Sequence, residues 1–115
     1  VSGNRELLVT AIKDDDFGIL VGCGLGGGLT EILDDVVRQG PFDEAAAYDL
    51  IGQIRAVAGH PDFLTEDQRQ AAAHFVSRFA ALSASAPWQH FTLELNPIKL
   101  DKKRAVAVDG LLIVN

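Results

Sequence analysis

Residues 93–97 read LELNP and residues 105–109 read AVAVD, and these two stretches decide the fold of the C-terminal part of the chain. Both predict β-strands, because apolar or β-branched residues alternate with polar or small ones. The charged residues 101–104 (DKKR) lie between them and predict a turn. If the two lysines of this turn form a two-residue loop, the strands make an antiparallel hairpin in which Asn96 lies opposite Asp109.

This hairpin brings three oxygen-bearing side chains to one surface. Glu94 and Asn96 are two residues apart and therefore share a face of their strand. Asp109 joins them, because directly opposed residues of an antiparallel pair share a face. We expect these three side chains to converge. The apolar residues of the reverse face form the predicted core side: Leu93, Leu95, Val106, Val108 and Leu112.

Carboxylate and amide oxygens of this kind suit Mg²⁺, which usually takes one or two protein carboxylates and completes its octahedron with water and phosphate oxygens. A site with so few ligands needs a polyphosphate to complete it. From the pattern alone, a polar and solvated face of an edge hairpin is the alternative. Zinc is not predicted, because the three histidines lack close ligand spacing with each other or with Cys23.

The composition limits the classes of protein that fit. At 115 residues the chain has the length of one domain, and we expect residues 1–115 to form a single unit. The net charge of −6 argues against general binding to nucleic acid or to an anionic membrane. A single cysteine, no long apolar run and no signal-peptide pattern indicate a cytoplasmic protein. The chain begins with Val and soon enters a predicted strand, which suggests a part of a longer protein.

The N-terminal segment predicts a second hairpin, with β-prone residues 5–13 and 17–22 on either side of an aspartate-rich turn, residues 14–16. Residues 22–28 (GCGLGGG) then predict a flexible glycine loop. The loop has dinucleotide spacing, GxGxxG, yet it follows the second arm of a hairpin rather than a strand that leads into a crossover helix. A mobile connection and a loop that faces a phosphate or a partner both fit. A P-loop is excluded, because no Gly-Lys-Ser/Thr follows.

Two helices are predicted in the middle of the chain. The first follows an N-cap at Asp43 and ends at Gly59, and the second follows the capping box of residues 65–68 (TEDQ). The predicted buried stripes are Ala47, Leu50, Ile51, Ile54 and Val57 in the first helix, and Ala72, Phe75, Val76, Phe79 and Leu82 in the second.

Residues 29–37 are ambiguous. Their apolar side chains fall at helical spacing, but their β-branched content and the following Gly40-Pro41 also suit an extended segment. Strands at both ends of the chain with helices between them predict an α+β fold, in which a mixed or antiparallel sheet has two helices packed on one face.

These features resemble the C-terminal part of the ATP-grasp domain of ADP-forming (NDP-forming) acyl-CoA synthetases, which are related to succinyl-CoA synthetase β subunits. The resemblance covers almost the whole chain. It rests on residues 14–18 (DDDFG) leading into residues 24–27 (GLGG), on residues 31–41, and most specifically on ELNP at 94–97 with VAVD at 106–109. The resemblance implies that residues 30–38 are extended.

The resemblance also implies roles for individual residues. Asn96 and Asp109 match the residues that hold the Mg²⁺ bridging the phosphates of ATP or ADP, and Glu94 matches a catalytic glutamate near the transferred phosphoryl group. The implied nucleotide-facing or domain-facing positions are Gly24, Gly26, Gly27 and Arg38. The chain departs from the family pattern at Gln39-Gly40 and in the short loop of residues 59–64, which lacks a longer Gly- and Arg-containing stretch.

An ATP-grasp fold clasps ATP between two subdomains, and the first subdomain has no counterpart before Arg5. We therefore expect this chain to hold half of the clasp of an acyl-CoA synthetase and to be inactive alone. Its expected partners are the nucleotide and the missing ATP-grasp and CoA-binding domains, within a homo- or hetero-oligomer. A catalytically silent assembly domain that binds a partner chain is the second hypothesis, and dinucleotide binding through the glycine loop is the third.

Overall fold

The computed structural model describes residues 5–16, 18–25, 36–101 and 104–114. Within these ranges the chain forms six strands and three helices. In chain order the elements are β1 (Arg5–Asp14), β2 (Gly18–Leu25), β3 (Val36–Gly40), α1 (Glu44–Gly52), α2 (Arg55–Gly59), α3 (Glu66–Ala84), β4 (Phe91–Leu100), β5 (Ala105–Ala107) and β6 (Gly110–Val114).

The strands form one antiparallel sheet in the order β3-β2-β1-β4-β5, and β6 pairs with β4 beyond the end of β5. The helices cover one face: Leu7, Val9 and Ala11 of β1 are fully buried there, whereas Leu8 and Thr10 between them are half-buried on the other, open face. This arrangement confirms the predicted α+β class. The core comprises the three β1 residues with Ile19, Val21, Cys23, Ala47, Leu50, Ile51, Ile54, Val57, Leu64, Ala72, Ala73, Val76, Phe79, Ala80, Phe91, Ile98 and Leu100.

A bulge in β4 changes which residues face the helices. Val9 pairs with Leu95 and Leu7 with Ile98, so two residues of β4 oppose the single residue Leu8. The extra residue lies at Asn96-Pro97, and it moves Ile98 into the same buried layer as Leu95. The predicted core side, which assumed strict alternation, is therefore wrong for Val106 and Val108, which are 47 % and 55 % exposed. Leu112 pairs with Leu93 on the helix side, as predicted, but it is 42 % exposed because β6 pairs only with β4 within the described chain.

The N-terminal hairpin is confirmed, and β2 is longer than the sequence predicted. Asp14 closes the turn by accepting a hydrogen bond from the backbone N–H of Asp16 at 2.8 Å. The predicted glycine loop is wrong over its first part, because β2 continues to Leu25 and includes Gly22 and Gly24. Both glycines pair with β1, which supplies the backbone partners that keep this segment extended. Gly26, Gly27 and the rest of that loop lie outside the described residues.

The first predicted helix is interrupted. Its N-cap is confirmed, since the Asp43 side chain accepts from the N–H of Ala46 at 2.8 Å, and all five residues of its stripe are buried. However, α1 ends at Gly52 and the short α2 begins at Arg55. The Arg69 side chain donates to the carbonyl of Tyr48 at 2.9 and 3.2 Å and lies where a larger residue than Gly52 would stand. The Arg69 side chain thus packs against the last turn of α1. The break between α1 and α2 follows directly after this contact.

The second predicted helix, α3, begins with the expected capping box, in which Thr65 and Gln68 each bond the other's backbone N–H at 3.0 Å. Its buried stripe is rotated from the prediction. Leu82 is 68 % exposed and Phe75 only half-buried, whereas Ala73, Ala80 and Ser83 are buried. The small residues let α3 approach the sheet closely, and the two larger side chains lie beside that contact.

The ambiguous segment ends as a strand. Residues 36–40 form β3 and pair with β2 from Cys23 to Ile19, which confirms the extended conformation for residues 36–38. Residues 29–35 lie outside the described part. None of the helices in the described ranges combines the length and the hydropathy that a membrane-spanning helix needs.

Candidate functional site

The final hairpin has the register that its turn predicted. Ile98 pairs with Ala107 and Leu100 with Ala105. At the turn, the N–H of Asp101 donates to the carbonyl of Arg104 at 3.1 Å. At the bulge, the N–H of Asn96 donates to the carbonyl of Asp109 at 3.2 Å, so the predicted opposition of these two residues is present.

The three predicted site residues lie on or beside the open face. Glu94 pairs with Thr10, which is half-buried on that face. Glu94 and Asn96 are half-buried and Asp109 is exposed, so none of the three is enclosed in the core. One oxygen of Asp109 accepts from the N–H of Gly110 at 2.8 Å. This bond holds one of the two carboxylate oxygens of Asp109.

The donor set fits a sparsely coordinated hard cation. The backbones of Asn96 and Asp109 are hydrogen-bonded at the bulge, and Glu94 lies two residues before Asn96 on β4. Amide and carboxylate oxygens are the ligands that Mg²⁺ prefers. The described residues contain no group of three or more His, Cys, Asp or Glu that could hold a metal ion. A metal held by Asn96 and Asp109 would need further ligands, such as phosphate and water oxygens.

In addition to Thr10, exposed apolar side chains lie near Glu94 on the open face. Its partner on the outer side is Leu111, which is 57 % exposed, and Ile113 and Ile12 on the same face are 49 % and 44 % exposed. Beyond Thr10 lies Gly22, which has no side chain to fill the surface. The sequence analysis did not identify Thr10, because the pairing of β1 with β4 joins distant segments and leaves no local signal. The predicted register of the last hairpin does place Leu111 opposite Glu94, but the sequence analysis did not single it out.

The remaining predicted positions lie further away. Gly24 pairs with Leu8 and belongs to the open face, two strands from Glu94. Arg38 pairs with the buried Val21, so it lies on the helix side at the sheet edge, with its guanidinium 5.9 Å from the Phe42 ring centre. The described structure does not bring Arg38 together with Glu94, and its assignment to the nucleotide stays a prediction.

A second polar cluster joins α1 to α3 on the outside of the helix layer. The Tyr48 hydroxyl donates to Glu66 at 2.7 Å, and the Arg69 guanidinium lies 3.7 Å from the centre of the Tyr48 ring. The bond from Tyr48 is the main cause that lowers the pKa of Glu66, and the same bond raises the pKa of Tyr48. The cluster is exposed and lies on the opposite side of the sheet from Glu94, so it serves the packing of the helices.

The fold and the candidate site define a domain with one helix-covered face and one open face, on or beside which lie the three predicted site residues. The chain belongs to the ATP-grasp domain family, whose profile matches residues 1–114. It is 32 % identical over 113 residues to the beta subunit of acetate–CoA ligase (ADP-forming) I of Pyrococcus furiosus, covering 96 % of this chain and 48 % of that protein. It is 27 % identical over 117 residues to acetate–CoA ligase (ADP-forming) I of Archaeoglobus fulgidus, covering 99 % of this chain and 17 % of that protein.

Solved structures show the same fold. Dinucleotide-forming acetyl-coenzyme A synthetase 1 of Ca. Korarchaeum cryptofilum, in complex with coenzyme A and Mg-AMPPCP, superposes with a TM-score of 0.82 at 24 % identity. The match covers 96 % of this chain and 53 % of that one. The chain thus spans half or less of the length of the curated relatives it matches.

Proposed function

We propose that the chain is the C-terminal ATP-grasp subdomain of an ADP-forming acyl-CoA synthetase, an acid–thiol ligase, and that it contributes to binding Mg-nucleotide phosphates for phosphoryl transfer. The observation that carries this proposal is the direct pairing of Asn96 with Asp109 at the bulge of β4, beside Glu94. The similarity to two acetate–CoA ligases supports the reaction class.

Asn96 and Asp109 would hold Mg²⁺, which when bound neutralises charge on the β and γ phosphates during transfer. Asp109 is suited to this role because its hydrogen bond to Gly110 orients the carboxylate before a ligand arrives. Glu94 orients or counterbalances the phosphoryl acceptor from its half-buried position on the open face. In the solved structure of the Ca. Korarchaeum cryptofilum synthetase, a phosphohistidine segment points towards the nucleotide-binding site.

The open face is where the other half of the clasp would close. Leu111, Ile113 and Ile12 leave an apolar surface around Glu94 that a nucleotide and a second subdomain can cover. Gly22 and Gly24 of β2 add no side chains to this face.

The test is a calorimetric titration with Mg·ATP of the 115-residue chain, alone and after the complementary ATP-grasp half is added. We expect weak or no heat from the chain alone and saturable binding with both halves, because ATP is held between them. Asn96→Ala should remove the Mg²⁺ dependence of that binding. Binding by the joined halves that is unchanged in this variant would contradict the proposed metal site.

The second candidate function is a catalytically silent assembly domain, which the exposed apolar residues of the open face also favour. Under that hypothesis the two halves associate but bind no nucleotide. The same titration therefore separates the two functions.

A further inference from the structure

Thr10 lies directly opposite Glu94 on the open face, where β1 pairs with β4 in regular register. Directly opposed residues of an antiparallel pair point to the same side of the sheet, with their Cβ atoms about 4.5–5.5 Å apart. Both residues are half-buried. A threonine hydroxyl and a glutamate carboxylate in this arrangement are within reach of a hydrogen bond in which the hydroxyl donates.

Thr10 is the polar residue that faces Glu94 across the sheet. The row of paired residues that contains these two crosses five strands, and its other members are apolar or lack a side chain: Val37, Gly22 and Leu111. On β4 itself, Thr92 and Asn96 are each two residues from Glu94, which places them about 6–7 Å away along the strand. Thr10 is therefore the polar neighbour best placed to bond the carboxylate.

The side chain of Glu94 needs such a partner if it is to act from one position. In the part of the chain that the structure describes, no hydrogen bond or ion pair holds its carboxylate. A free glutamate side chain populates several rotamers, and ordering it costs entropy. Thr10 suits the task, because threonine is restricted about χ1 and because β1 is paired on both sides, with β2 and β4.

We propose that Thr10 is the positioning residue for Glu94, and that its hydroxyl donates a hydrogen bond to the carboxylate when Mg-nucleotide phosphates bind at the open face. This inference rests on the proposed function. Hydrogen bonds at catalytic sites often tighten only when the substrate is bound. The bond to one carboxylate oxygen aims the other oxygen at the phosphoryl acceptor, and a charged acceptor strengthens it. Thr10 itself does not contact the nucleotide, so it affects kcat rather than nucleotide affinity.

The test is steady-state kinetics of the enzyme reassembled from this chain and its complementary half, with Mg·ATP as the varied substrate. Thr10→Val keeps the branched shape and removes the hydroxyl. We expect kcat to fall about tenfold, as for the loss of one hydrogen bond to a charged group, while KM changes less than about twofold. Thr10→Ser keeps a hydroxyl and should retain kcat within about threefold of the wild type.

Thr92→Val is the matched control. It removes the hydroxyl of a second half-buried threonine on the same face, which pairs with Ile12 and Ile113 rather than with Glu94. This variant should keep the kcat of the wild type. If Thr10→Val does not assemble with the other half, Thr10→Ala takes its place in the comparison with Thr10→Ser.

An unchanged kcat in Thr10→Val, an equal loss in Thr10→Ser or an equal loss in Thr92→Val would each overturn the assignment. A raised KM with unchanged kcat would also overturn it, and would assign Thr10 to nucleotide binding. Asn96→Ala in the same assay separates this inference from the proposed function. If Asn96→Ala lowers Mg-dependent turnover and Thr10→Val does not, the role of Thr10 alone is wrong. If neither change lowers turnover, the proposed function is wrong as well.

Discussion

Asn96 and Asp109 face each other across the final hairpin, with the backbone nitrogen of Asn96 3.2 Å from the backbone carbonyl oxygen of Asp109. This contact lies at the bulge, where β4 carries one residue more than β1 opposite to it. Bulges re-aim the side chains next to them and are frequent beside active sites. Four measurements test what these contacts and the packing of the helices imply.

Asp109→Asn tests the metal assignment in the enzyme reassembled from this chain and its complementary half. The amide lacks the negative charge that the proposed Mg²⁺ requires, so we expect Mg-dependent turnover to fall by about 100-fold or more. Circular dichroism should show an unchanged fold, because Asp109 is exposed. Asp101→Asn on the same hairpin, which pairs with Arg104 at 3.1 Å, is the matched control and should keep its activity. Full activity of the Asp109 variant would remove its assigned role.

Gly52→Ala tests the packing that ends α1. The added Cβ meets the Arg69 guanidinium, with its carbon 2.9 Å away, and displaces it from the Tyr48 carbonyl. In an Arg69→Ala background the steric clash with the guanidinium is absent. Gly52→Ala should then stabilise the helix by about 0.5–1 kcal/mol. Urea unfolding of the double-mutant cycle should therefore give a coupling of about 1 kcal/mol. Additive effects would show that the two residues act independently.

Tyr48→Phe tests the hydrogen bond to Glu66. The pKa of Glu66 is lowered in the folded state, so this bond stabilises the fold above the ordinary pKa of the carboxyl and its contribution is lost as the pH falls through the lowered value. The pKa of Tyr48 is raised, so the contribution is lost again at high pH, when the phenol ionises. Thermal unfolding should show the largest difference between wild type and variant near neutral pH. A difference that does not change between acid and neutral pH would contradict the assignment.

Gly18→Ala tests the turn between β1 and β2. Gly18 has φ of 70°, which costs a residue with a side chain about 1–2 kcal/mol, although no atom lies within 4 Å of the added Cβ. We expect the variant to be destabilised by about that amount. Gly59→Ala, where the space is equally open and φ is not positive, is the matched control and should be neutral or stabilise the chain by up to about 1 kcal/mol. Equal effects of the two changes in chemical denaturation would rule out conformational strain at Gly18.

The sequence predicted what local patterns determine. The turn of residues 101–104 set the register of the last hairpin, and Thr65 and Asp43 marked the starts of their helices. The α+β class followed from the order of the segments. The resemblance to the ATP-grasp family, carried mainly by residues 94–97 and 106–109, was confirmed by the family match.

Other features depend on contacts between distant segments. The apolar stripe from Ala47 to Val57 runs through the break after Gly52, and only Arg69 on another helix marks that break. Thr10 lies beside Glu94 because β1 pairs with β4, which local periodicity does not report. The sequence places apolar residues at Leu95 and Ile98, three positions apart. An interpretation based on strict alternation does not recognise this spacing as a bulge.

The extra residue at Asn96-Pro97 has a consequence for the length of this segment. Leu93 and Leu95 before the bulge have odd numbers, and Ile98 and Leu100 after it have even numbers. Both pairs nevertheless direct their apolar side chains to the helix layer. Removing a single residue there would turn Ile98 and Leu100 outward or Leu93 and Leu95 outward, and would expel half of that strand from the interior. The hairpin that carries the proposed ligand oxygens should therefore tolerate substitution far better than deletion.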